Sequence, residues 1–144
     1  MKNKESFFLI FVGIGVFLVS LTYGVVPNTT LSFLYDIEVD SINLSNIFRA
    51  IMGLYIALVI FWIAGAKYES LRIPALWSLT IFMSGLAIGR ALSIIVDGIP
   101  YALFINWMVI EFICAYLGFK LIKGFLYYDH CYWTKPRTRF IRSY

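Results

Sequence analysis

The sequence predicts an all-α integral membrane protein, a bundle of four transmembrane helices with both termini in the cytoplasm and a short cytoplasmic tail. Three observations carry this. The 144-residue chain is 61% hydrophobic and only 14% charged, with a mean hydropathy of +0.83. A soluble domain of this size has too little interior for that much apolar surface, so lipid must cover the remainder. Four apolar stretches, near 7–26, 46–66, 74–96 and 101–122, each reach the roughly 20 residues that a helix rising 1.5 Å per residue needs to cross about 30 Å of hydrocarbon. Finally, lysine and arginine flank alternate crossings, as the positive-inside rule requires of an even number of spans.

The first stretch, Phe7 to Val26, carries no charge, and Pro27-Asn28 marks its end. Lys2 and Lys4 ahead of an apolar core also suit a secretory signal. However, the core is long, and Thr22-Tyr23-Gly24 matches the small-x-small cleavage pattern poorly, so the segment is expected to stay as a membrane helix. Residues 27–45 read as a loop carrying Asp36, Glu38 and Asp40 but neither lysine nor arginine. The second stretch leads into a loop, Lys67 to Arg72, with two basic residues. Pro74 is expected to open the third helix, where its missing N–H costs nothing. Asp97-Gly98-Ile99-Pro100 is a tight turn, making helices three and four an antiparallel hairpin.

A bundle over 1–122 is followed by a basic, aromatic tail, 123–144, with Lys123, Lys135, Arg137, Arg139 and Arg142. Tyr127, Tyr128, Tyr132 and Trp133 interleave with these cations, which suits either contact with anionic lipid at the inner surface or a solvated tail. Tyr23, Tyr35 and Tyr101 lie near the ends of apolar runs and are expected in the head-group belt. The net charge of +4 is accounted for by topology, so nucleic acid is not an expected partner. Cys114 in an apolar run and Cys131 in the tail occupy different environments, which argues against a disulfide.

The residues able to carry chemistry are the charges inside apolar runs. Arg49, Arg90 and Glu111 fall within helices two, three and four, and Asp97 ends the third. A charge at mid-membrane costs at least about 2.5 kcal/mol, so such groups face a partner or a wet cavity. Arg90 lies roughly 10 Å below Asp97, and Glu111 roughly 15 Å into its helix, which puts all four in the outer half of the bundle. Arg90, Ser93 and Asp97 share one face of helix three, with the G-x-x-x-G pair Gly85 and Gly89 beside it. Gly53 stands one turn after Arg49, and Glu111, Ala115 and Gly118 form a stripe on helix four, so small residues are expected to bring the helices close. Two arginines and two carboxylates sum to zero, as a buried, self-satisfied network requires. Such a network suits first an ion cluster fixing helix register, next a pocket for an anionic or lipid-like ligand, and last an oligomer interface.

No catalytic constellation stands out. A G-x-S-x-G elbow, a phosphate loop and an H-E-x-x-H pair do not occur, and Asp129-His130-Cys131 gives poor ligand geometry, so neither metal nor cofactor is expected. Asn106 reads as a helix–helix hydrogen-bonding residue. The expected function is an accessory or scaffold subunit with a membrane-protein or self-association partner; the alternative is a binder or transporter of an anionic or lipid-like molecule, and after it a lipid-modifying enzyme with Glu111 as acid/base.

Ile47-Phe48-Arg49-Ala50-Ile51-Met52-Gly53-Leu54-Tyr55, Gly85-Leu86-Ala87-Ile88-Gly89-Arg90 with Ser93 and Asp97-Gly98, and Glu111 resemble the small bacterial four-helix membrane proteins of the DUF4345 type. The resemblance covers roughly residues 7–122 and leaves out the tail. It implies the four-helix fold in a bacterial inner membrane, marks Arg49, Arg90, Asp97 and Glu111 as characteristic polar positions, and implies no particular activity.

Overall fold

A computed structural model describes residues 2–133, with side chains placed for residues 4–126. The elements are α1 (Lys2–Gly24), α2 (Pro27–Tyr35), α3 (Ile42–Lys67), α4 (Glu69–Asp97) and α5 (Ala102–Trp133). Among the described residues, α1, α3, α4 and α5 are the four helices long and apolar enough to cross a membrane, so the chain reads as a multi-pass membrane protein. The tail side chains of Tyr127, Tyr128, His130, Cys131, Tyr132 and Trp133, and the residues from 134 on, among them Lys135, Arg137, Arg139 and Arg142, lie outside the described residues.

Helix boundaries depart from the apolar runs wherever polar residues extend a helix. The segment expected as a loop after Val26 contains α2. Pro27, which ends α1 because it cannot continue a helix, stands at the first position of the next one, where its fixed φ is favourable. α2 ends at Asp36, whose left-handed backbone (φ 56°) a short polar side chain tolerates. α3 begins four residues earlier than its apolar run, capped by Ser41, whose Oγ accepts from the Leu44 N–H at 3.1 Å. Tyr68 alone separates α3 from α4, so Pro74 lies inside α4 and not at its start. α5 continues without a break through residue 123 to Trp133; its 32 residues rise about 48 Å, well beyond the hydrocarbon thickness.

The helices pack in the order α1, α3, α4, α5, and the α1–α5 seam is the loosest. The core is built from Leu9, Val12 and Val16 of α1, Val59 and Trp62 of α3, Leu76, Leu79 and Met83 of α4, and Ala115 and Ile122 of α5. In lipid such helices associate through close packing, since the surrounding tails are as apolar as leucine. The close approaches are made at glycines: a Cβ on Gly65 would collide with the Ala75 Cβ, and one on Gly118 with the Thr80 Oγ1.

At the terminal end of the bundle, where α1 starts and α3 turns into α4, the Ala66 carbonyl is left over by the end of α3. It accepts from the Ser6 Oγ at 3.0 Å and from Arg72 Nη2 at 3.2 Å. Arg72, expected in a solvated loop, is therefore buried and stitches α4 to α3. At the opposite end, α2 folds across the bundle. Thr30 Oγ1 donates to the Thr22 carbonyl at 2.6 Å, and Tyr35 stacks on Tyr23 of α1 and Phe104 of α5. Tyr23 and Tyr35 are consequently buried rather than set in a head-group belt, whereas Tyr101 is exposed.

Candidate functional site

α4 and α5 run antiparallel from the turn at 98–101, so residues at matching distances from that turn meet. Arg90 is seven residues from the end of α4 and Glu111 nine from the start of α5, which puts both about 10–14 Å below the α2 end. The Arg90 Nε–H is shared between the two Glu111 oxygens, at 3.1 and 3.0 Å. Side-chain exposures of 22% and 8% place the pair inside the bundle. A guanidinium carries five N–H donors, and only the one on Nε is committed to the carboxylate here. The rest are available to Tyr23, which lies beside Arg90, and to whatever enters the space next to it.

That space is a cavity of about 280 Å³. Phe11, Ile14, Val16 and Val19 of α1 form one wall, Phe82, Met83 and Leu86 of α4 another, and Trp107, Ile110 and Cys114 of α5 the third; Arg90, Glu111, Tyr23 and Tyr55 supply its polar groups. An aromatic stack stands beside its polar end. Arg90 lies 5.5 Å from the centroid of Phe104, which stacks on Tyr35 at 5.2 Å, and Tyr35 stacks on Tyr23 at 5.7 Å. Trp107 Nε1 is buried without a hydrogen-bond partner among the described residues. The cavity thus has a partly open, apolar and aromatic lining, a loose flank at the α1–α5 seam, and one neutralised ion pair at its polar centre.

The other polar positions expected to converge do not join it. Arg49 is exposed on α3, and no ion pair or hydrogen bond links it to another described residue. Only two turns into its helix, its long side chain can reach the head-group level by itself, so burial is not forced. Asp97 is exposed and accepts from the Ser93 Oγ at 2.8 Å; two turns of helix separate it from Arg90, beyond side-chain reach. Asn106 is exposed as well. Gly53, Gly85 and Gly89 have open space where a Cβ would stand, so they do not bring helices of this chain together. The helix-four stripe does pack, with Glu111, Ala115 and Gly118 all buried.

A protein-family model described as a domain of unknown function, DUF4345, matches residues 5–122. The chain belongs to the DUF4345 family. No curated protein and no solved structure matches it. The matched span of this DUF4345 protein holds the ion pair, the cavity and α2, and stops short of the last turns of α5.

Sequence reasoning missed Tyr55, Trp107 and Cys114 as cavity residues. They are ordinary apolar or aromatic members of membrane helices, and only the position of α1 turns them into a lining. Glu5 and Arg72 were missed as buried charges because, near helix ends, they look like flanking residues that water would solvate.

Proposed function

We propose that this DUF4345 protein binds a lipid-like small molecule inside the membrane, with its polar head beside Arg90 and Glu111 and its apolar body leaving through the α1–α5 seam. The observation that carries the reading is the cavity next to an arginine with donors to spare. Its volume of about 280 Å³ falls just below the roughly 300–1,000 Å³ of small-molecule sites, which suits a head group and part of a chain. Because Glu111 neutralises Arg90, an anionic head would bring uncompensated charge into a low-dielectric site. A neutral acceptor, such as a carbonyl, ester or hydroxyl oxygen, takes the spare N–H groups without that cost.

The test is extraction of non-covalent molecules from protein purified in mild detergent, compared with the charge-neutral double variant Arg90→Met/Glu111→Leu. The wild type should yield a stoichiometric apolar compound that the folded double variant lacks. Equal yields from both would count against the proposal.

A second reading, an accessory subunit of a larger membrane complex, is supported by the outward-facing Gly85 and Gly89 of α4, which leave room for the backbone of a foreign helix. For either reading, we infer that the terminal end faces the cytoplasm of a bacterial cell. Lys4, Lys67, Lys120 and Lys123 gather there, while Asp36, Glu38, Asp40 and Asp97 mark the other end.

A further inference from the structure

The α1–α5 seam holds a second cleft, separate from the Arg90 cavity, at the terminal end of the bundle. Its volume is about 470 Å³, and it is lined by Lys4, Glu5 and Phe8 of α1 and by Leu117, Lys120 and Leu121 of α5. Glu5 is only 3% exposed, yet its Oε2 has no hydrogen-bond partner among the described residues. A buried carboxylate oxygen without a donor is costly, so a donor from beyond the described residues is called for. Lys4 and Lys120 are both exposed and stand on opposite walls of the same cleft. Lys123, one turn on, lies over the Phe119 ring and does not line it.

The pattern is one acceptor flanked by two cations, above an apolar wall of Phe8, Leu117 and Leu121, at the depth where a helix leaves the hydrocarbon. We propose that this cleft holds an ethanolamine-type phospholipid. Its ammonium donates to Glu5, its phosphate lies between Lys4 and Lys120, and its acyl chains follow Phe8 and Leu117 along the seam. A choline head carries no N–H and leaves the Glu5 oxygen orphaned. A glycerol head offers hydroxyl donors but no cation to balance the carboxylate. The site is independent of the Arg90–Glu111 pair, so either can fail alone.

The experiment uses full-length protein, delipidated and offered equimolar ethanolamine, choline and glycerol phospholipids of identical acyl chains, with bound lipid counted by native mass spectrometry. The wild type should retain the ethanolamine lipid about tenfold over choline, the scale of one charge-assisted hydrogen bond. Glu5→Gln, which keeps the shape of the side chain, should bring that ratio close to one. Lys120→Ala should lower retention of all three. Equal retention of the three by the wild type, a preference for the glycerol lipid, or an unchanged ratio in Glu5→Gln would each overturn the proposal. The wild-type comparison stands even if a variant does not fold.

Discussion

Arg90 and Glu111 show how a membrane helix tolerates charge: two opposite groups on neighbouring helices meet at matching depth and cancel. Removing one leaves the other buried and alone. Arg90→Met or Glu111→Leu is therefore expected to lower stability by about 3 kcal/mol, and the double variant by less than the sum. Thermal midpoints of the three variants in one detergent measure this, and strictly additive losses would show that the groups do not communicate. This pair was legible in the sequence, because charges in apolar runs are rare and the hairpin fixes their depth. Its size was not. Arg49 and Asp97 carry the same signature in the chain, yet they sit close enough to the helix ends to be solvated, and a sequence does not state which way a helix is rotated.

At the level of elements, the glycines separate two roles that their spacing does not. Gly85 and Gly89 form the more familiar packing motif, while Gly65 and Gly118, like Gly24 against Met52, are glycines that admit a neighbouring helix. Leucine at Gly65 or Gly118 should destabilise the bundle by about 1–3 kcal/mol through overpacking. The pair Gly85→Leu/Gly89→Leu should leave the thermal midpoint of the isolated chain unchanged or raised. If a foreign helix docks on α4, that double variant should also release it, seen as a smaller particle in native purification. The long helices could be read from hydropathy alone, whereas α2 could not. Its nine residues are too few and too polar for a spanning signal, and its seat across the bundle depends on Tyr35 meeting Tyr23 and Phe104, two residues remote in sequence.

For the whole molecule, the packing order α1, α3, α4, α5 leaves one weak seam, and both clefts lie along it. On the proposed reading, a ring of helices tight at three joints and loose at the fourth would take a lipid-like molecule sideways from the bilayer. Accessibility to a membrane-impermeant thiol reagent, read in intact cells on cysteines placed singly at Asn3 and at Asp40 in a cysteine-free background, should label only the Asp40 site. Labelling of the Asn3 site alone would reverse the orientation. The most direct measurement of the central claim is an experimental structure in nanodiscs formed with native lipid. Non-protein density should enter between α1 and α5 and end within hydrogen-bonding distance of the Arg90 guanidinium. A collapsed cavity, with every Arg90 N–H bonded to groups of the chain itself, would contradict it.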